Sequence, residues 1–115
     1  MRMIKMGGMR VVFNSLIPFK PYKAINLFGI IFVRGGCADE ISDKLLRHEH
    51  IHTLQMKELW YIGFYFLYVW FYLKNRIWMD RIDAYYNNPF EREAYYYEKD
   101  QTYYLKRPKF NWRKL

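Results

Sequence analysis

Hydrophobic and polar residues follow two different patterns along the chain. Within residues 1–36, where prolines and glycines are frequent, Ile30-Ile31-Phe32-Val33 forms a run of β-branched and aromatic residues. Such a run between turn-forming residues predicts one or two short strands. Beyond that region apolar residues recur at three- and four-residue intervals, the spacing typical of one face of a helix. The chain is therefore predicted to be α+β and mostly α, with an N-terminal β-hairpin followed by three helices.

The first predicted helix runs from about Glu40 to Leu59 and has Asp39 as its N-cap. With about 100° between successive residues, His48 and His52 fall on one apolar face, whereas His50 lies on the opposite face. The apolar face also contains Ile41, Leu45, Gln55, Met56 and Leu59. An unpaired imidazole on a buried face is costly, so both inward histidines are expected to have partners.

The second predicted helix covers residues 59–73, which contain no charged side chain and are apolar on nearly every side. A helix of this kind is either buried or located in a membrane. Its length of about 22 Å is shorter than the hydrocarbon core of about 30 Å, and its tyrosines need hydrogen-bond partners. We therefore expect a buried helix of a soluble domain, followed by a mixed connection over residues 74–87.

The third predicted helix begins with Asn88 as its N-cap and Pro89 at its first helical position, a combination typical of helix starts. It is expected to run to about Leu105, and Pro108 ends any continuation. The last seven residues, KFNWRKL, form a tail that is both basic and aromatic.

Composition narrows the function classes. The 115 residues are enough for a single domain over residues 1–115. One cysteine, Cys37, excludes an internal disulfide, and no secretory signal peptide is recognised, so we expect a cytoplasmic protein. The net charge of +8 favours anionic partners, but no nucleic-acid-binding motif is present and no nucleic-acid partner is expected. The other anionic partner is a membrane surface, and the aromatic helix and the basic tail are suited to peripheral contact with it.

The five residues His48-Glu49-His50-Ile51-His52 match the pattern H-E-x-x-H. Residues four apart share a helix face, so His48 and His52 can bind one metal ion together. Glu49 projects beside them, where it can act as the general base towards a zinc-activated water. The alternative is an ordinary helix, but all three histidines of the chain lie within these five residues. The pattern therefore favours a zinc site, in which His50 is a bystander.

Zinc in a catalytic site needs a third protein ligand, and three glutamates of the third predicted helix are candidates. Glu91 and Glu93 flank the inner face at similar angles on opposite sides, and Glu98 is a weaker option. Glu91 has a structural alternative, because with Asn88 as N-cap its side chain could close a capping box. Periodicity does not choose among them.

HEHIH followed by a second helix with Glu-x-x-Ala resembles the gluzincin class of zincin metallopeptidases, and the chain length is similar to that of the minigluzincins. The segments RHEHIHTLQMKELWYIGFYFLYVWF and NPFEREAYYYE also resemble a family of short bacterial proteins. The resemblance implies a minimal zincin-like core in which zinc is bound by His48, His52 and Glu91, the last standing three positions before Ala94. Tyr95 stands near the place where many gluzincins have an aspartate that supports the ligands.

The resemblance further implies zinc-dependent hydrolysis of peptide bonds, with Glu49 as the general base and a peptide or protein as substrate. The strand at Gly29–Arg34 would be the edge strand above the metal helix, where extended substrate could pair. A non-catalytic protein of the same fold, with a structural metal or none, is the alternative, and contact with a membrane surface is compatible with either.

Overall fold

Four strands form the N-terminal part of the fold in the computed structural model, which describes residues 2–6, 9–14, 24–34 and 42–114. They are β1 (Arg2–Met6), β2 (Met9–Asn14), β3 (Ala24–Leu27) and β4 (Ile30–Arg34). The order in the sheet is β1-β2-β4-β3; the outer pairs are antiparallel and β2 runs parallel to β4. The predicted α+β, mostly α class is confirmed, but the expectation of one or two strands was too low.

Two hairpins therefore build the sheet, and β4 lies inside it between β2 and β3. The prediction that the strand at Gly29–Arg34 is the edge strand was wrong, because β3 pairs with the outer side of β4. Among the described strands, β3 is the edge that borders the first helix. Alternating residues of the inner strands, Val11, Ile31 and Val33, pack with Leu46 to form the core between sheet and helix.

The β3–β4 turn consists of Phe28 and Gly29, both with positive φ (54° and 87°). Positive φ at both central residues is the geometry that suits a two-residue hairpin. Asn26 fastens this hairpin to the first helix, because its Nδ2 donates to the Glu49 carbonyl at 2.9 Å and to Thr53 Oγ1 at 3.0 Å. The edge strand is thus held in a fixed position beside the HEHIH segment.

The first helix, α1, covers Asp43–Glu58, with Ser42 as its N-cap and the Ser42 Oγ accepting from the Leu45 amide. It starts about three residues later than predicted, because Ser42 has an extended backbone and caps the helix itself. Asp39, Glu40 and Ile41, on which the predicted start depended, lie outside the described residues.

The second helix, α2, covers Ile62–Arg76 and follows a sharp turn at Trp60 and Tyr61, both with positive φ. The helix is present as predicted, but its predicted burial was wrong. Only Phe64 is buried, because α2 packs against the rest of the molecule on one side alone. None of the helices in the described ranges is both long and apolar enough to cross a membrane.

The C-terminal part consists of α3 (Arg81–Tyr86), α4 (Pro89–Tyr97), α5 (Tyr103–Lys106) and a 3-10 turn (Asn111–Lys114). Asn88 caps α4 as predicted, but α4 does not continue to Leu105. The chain turns back after Tyr97, and the ring of Tyr103 stacks on Tyr97 at 3.8 Å. The basic tail is not free, because Trp112 is buried against Phe90.

Candidate metal centre

Three predicted ligand atoms meet at one point between α1 and α4. His48 Nε2 and His52 Nε2 lie 3.1 Å apart, and Glu91 Oε1 lies 3.1 Å from the first and 3.0 Å from the second. All three residues are buried. In the described part of the chain, this is the one group of three or more His, Cys, Asp or Glu side chains with metal-binding spacing.

The outer nitrogen of each histidine fixes the orientation of the ring. His48 Nδ1 lies 2.8 Å from Glu98 Oε2, and His52 Nδ1 lies 2.8 Å from Gln55 Oε1. A carboxylate and an amide oxygen only accept, so each Nδ1 carries a proton and donates it. Each Nε2 of a neutral ring therefore directs a lone pair towards the same point as Glu91 Oε1.

The spacing of these three atoms fits a zinc ion. Tetrahedral zinc with bonds of about 2.0–2.1 Å keeps its ligand atoms about 3.3 Å apart, close to the 3.0–3.1 Å found here. Three converging lone pairs repel one another unless a cation or a proton lies among them. The donor set of two imidazoles and one carboxylate is also one that catalytic zinc uses.

Glu91 is held in place from the side opposite the histidines. Tyr68 on α2 donates its hydroxyl to Glu91 Oε2 at 2.6 Å. In the metal-free protein, burial alone would raise the pKa of Glu91, but the positive charge on His52 and the hydrogen bonds that His52 and Tyr68 donate hold that pKa well below its usual range. The capping-box alternative for Glu91 was wrong, because the carboxylate is engaged with these side chains and Asn88 caps the helix through the Phe90 amide.

The other two candidate glutamates have different positions. Glu93 is fully buried on the far side of α4, where it binds Arg107 at 2.6 Å and accepts from Tyr103. It also accepts from Gln55 Nε2, which fixes the amide so that Gln55 Oε1 faces His52. Within the cluster, Glu98 contacts His48 alone, through the outer nitrogen of its ring. Glu93 and Glu98 therefore support the two histidines from behind.

Without a metal, a proton is expected on His52. Burial lowers the pKa of His52, but the Glu91 carboxylate and its hydrogen bond outweigh burial and raise the pKa to about 9. His50 is different, because burial and the charge of Lys57 lower its pKa. Its ring faces Tyr104, away from the cluster, as the helical spacing predicted.

A cleft of about 400 Å³ opens over the cluster. Strand β3 forms one wall, and Glu49 lies in the cleft beside His48 and His52. Among the described residues, the Glu49 carboxylate has no hydrogen bond or ion pair, whereas the Glu49 carbonyl is bound by Asn26 and Thr53. The backbone at Glu49 is thus fixed while its carboxylate stays available to a molecule in the cleft.

A pair of tyrosine hydroxyls lies beside the cleft. Tyr85 lines it, and its hydroxyl lies 2.9 Å from the Tyr95 hydroxyl. Burial, together with the charge of Glu91, raises the pKa of Tyr85, so its hydroxyl keeps the proton. Tyr95 itself packs edge-on against the His48 ring at 4.4 Å. Tyr95 thus takes no part in holding the outer nitrogen of His48, a role that belongs to Glu98.

Sequence reasoning missed the supporting roles of Gln55, Tyr68 and Glu98. Gln55 stands three residues after His52, and Glu98 stands seven after Glu91, so both lie on the faces that carry the ligands. That spacing could have identified both residues. No sequence signal distinguished Tyr68, because it is one of twelve tyrosines spread over the chain.

Comparison with protein-family models, with curated proteins and with solved structures found no match to this chain.

Proposed function

We propose that this protein is a zinc-dependent peptidase whose metal is bound by His48, His52 and Glu91. The observation that carries the proposal is the convergence of His48 Nε2, His52 Nε2 and Glu91 Oε1 within 3.0–3.1 Å of one another. Each of these side chains is oriented from behind by a further hydrogen bond. Such supporting contacts are typical of true metal sites, because they fix the ring and the basicity of the ligand.

The chemistry at the cleft follows from its polar groups. Zinc, when bound, supplies a Lewis acid that polarises a carbonyl and makes water more acidic. Glu49 accepts a proton from the attacking water, because its carboxylate lines the cleft beside the two histidines and has no partner among the described residues. Tyr85 lines the cleft with a neutral hydroxyl, and the Tyr95 hydroxyl lies 2.9 Å from it. With Tyr95 as the donor of this pair, the Tyr85 hydroxyl is available to hydrogen-bond an oxygen that becomes negative during the reaction.

An extended peptide is the substrate class that the cleft favours. Residues Ala24–Leu27 of β3 line the cleft, and β3 is the edge among the described strands. The outer backbone groups of an edge strand can pair with another extended chain. A His-Glu-x-x-His helix, a glutamate helix and an edge strand beside the cleft support the proposal, although this edge is β3 and not the strand at Gly29–Arg34 that the resemblance implied.

Replacing Glu49 by glutamine tests the proposal, because the change keeps size and shape but removes the base. Zinc should stay bound, while hydrolysis of a broad peptide library should fall by about 10²–10⁴-fold. The matched control is His50→Gln, one residue further along the same helix but directed away from the cluster, which should cleave like the wild type. Unchanged cleavage by the Glu49 variant would refute the assigned base. A zinc-loaded wild type that cleaves nothing would favour the non-catalytic alternative.

A further inference from the structure

One face of α2 presents large apolar side chains to solvent. It comprises Ile62, Phe66, Val69, Trp70 and Leu73, and every one of them is exposed. We call these five residues the outer face of α2. They border a shallow groove of about 630 Å³ with Phe28 and Tyr65 at its edge. An exposed apolar surface of this extent marks a place where a protein or a membrane binds.

The outer face lies directly opposite the buried side of the helix. At about 100° per residue, its five residues cluster around one direction, and Phe64, the buried residue of α2, points the opposite way. Lys74 and Arg76 stand on either side of the outer face near its C-terminal end. Residues 59–82 contain three basic residues, which are these two and Arg81, and one acidic residue, Asp80. The apolar face is thus bordered by positive charge.

Two turns beside the outer face hold exposed aromatic rings in a costly backbone conformation. Phe28 (φ 54°) and Trp60 (φ 58°) both have positive φ, which bulky residues rarely adopt. Trp60 is 87% exposed, and at the other end of α2 Trp78 is 85% exposed. Backbone strain of this kind is concentrated at functional sites. Tryptophan is favoured at the headgroup level of a membrane, because its ring is large and apolar but carries one polar group.

We propose that the outer face of α2 binds the surface of an anionic lipid bilayer. The apolar residues enter the boundary between headgroups and acyl chains, as in interfacial helices. Lys74, Arg76 and Arg81 attract anionic headgroups. A bilayer fits better than a protein partner because the exposed aromatics extend beyond the helix into two separate turns, and cations border the apolar surface.

The bound orientation also places the candidate metal centre near the bilayer. Tyr65 lines both the groove on the outer face and the cleft above His48 and His52, and the Tyr65 ring packs against Phe28 at 5.1 Å. Polypeptide at the membrane surface would therefore reach the cleft directly. Bilayer binding itself does not depend on the proposed peptidase activity, so it is testable with the metal removed.

Vesicle flotation tests the proposal with phosphatidylcholine vesicles that contain about 30% phosphatidylglycerol and with pure phosphatidylcholine vesicles. The wild type should float with the anionic vesicles and bind less in high salt. The double variant Phe66→Gln, Leu73→Gln should bind at least about tenfold more weakly, because it removes two inserted side chains. Lys74→Gln should reduce binding to anionic vesicles about fivefold. Circular dichroism should show the wild-type helix content in each variant.

The matched control is Leu105→Gln, because Leu105 is 72% exposed, as Phe66 is at 74%, but lies on α5 outside the outer face. It should bind vesicles like the wild type. Absence of wild-type binding, or equal binding by the double variant, would overturn the proposal. Equal binding to neutral and anionic vesicles would overturn the claim that the outer face prefers anionic lipid. A wild-type dimer that the double variant abolishes, without vesicle binding, would instead identify the outer face as a contact between two copies of the chain.

Discussion

Replacing Glu98 by leucine removes the carboxylate that fixes the outer nitrogen of His48, and we expect the affinity for zinc to fall. The Glu98 Oε2 to His48 Nδ1 distance is 2.8 Å, and the two side chains are only 12% and 7% exposed. Loss of the carboxylate leaves a buried N–H without an acceptor and lets the imidazole rotate. Removing a partner of this kind costs about 10–100-fold in metal affinity, equivalent to about 1.4–2.7 kcal/mol.

Two further variants distinguish the effect of the Glu98 charge from the effect of the neighbouring Lys44. Glu98→Gln keeps an acceptor oxygen and loses only the charge, so its affinity should fall by about tenfold, the lower end of that range. Lys44→Gln is the matched control, because the Lys44 ammonium lies 3.9 Å from Glu98 Oε1 and is 53% exposed. An exposed ion pair of this kind contributes little, so zinc affinity should change by less than about twofold.

Competition with a chromophoric zinc chelator measures these affinities, and urea unfolding of each variant checks that the fold is intact. The Glu98 backbone should stay in place, because its carbonyl accepts from Arg47 Nε at 2.7 Å whatever side chain it carries. Wild-type affinity in a folded Glu98→Leu variant would refute the claim that this contact orients a metal ligand.

Three other predictions concern the buried charges. Equilibrium dialysis should find that Glu91→Ala weakens zinc binding far more than Glu93→Ala, because only Glu91 contacts both histidines; the opposite order would contradict the assignment. In metal-free protein the pKa of His52 is raised from 6.5 to about 9, and the pKa of Glu91 is lowered from 4.5. The stability that this pair contributes should therefore be fully present between about pH 4.5 and 6.5 and fall by about 3 kcal/mol as the pH rises through 9. A free energy of unfolding in urea that does not change over this range would count against the pair. Arg107→Met leaves the buried Glu93 carboxylate unpaired, so it should lower the free energy of unfolding by about 3–5 kcal/mol, whereas a loss below about 1 kcal/mol would show that the pair adds little.

The pairing of His48 with His52 was predictable because residues four apart share a face of any helix. The position of Glu91 was not predictable from periodicity, because Glu91 and Glu93 flank the inner face of α4 symmetrically. Which of them meets the histidines depends on how α4 is rotated against α1, and this is a property of tertiary packing. Only the resemblance to gluzincins favoured Glu91 before the structure.

The exposure of α2 was missed for a related reason. A helix without charged residues can be buried, but it becomes buried only if other elements pack against every side of it. α2 has neighbours only on the side of Phe64, and its opposite side stays open. The strands were undercounted because β1 and β2 are short and contain Arg2, Lys5 and Arg10, which weaken the apolar alternation on which strand prediction depends.

The early end of α4 also has a cause that the sequence conceals. No proline or glycine stands between Pro89 and Pro108, so local signals allow the helix to continue. The chain instead turns where Asp100 Oδ1 accepts from the Thr102 amide and hydroxyl. Stacking of Tyr103 on Tyr97 then holds the returning segment. This turn places Glu98 at the end of α4, where it reaches His48.

Zinc content is the measurement that tests the central claim most directly. Elemental analysis of protein purified without added zinc should find about one zinc per chain. His48→Ala and His52→Ala should lose that zinc, whereas His50→Ala, which changes a histidine of the same helix that faces away from the cluster, should keep it. Wild-type protein that contains no zinc and takes none up would contradict the assignment of His48, His52 and Glu91 as a metal centre.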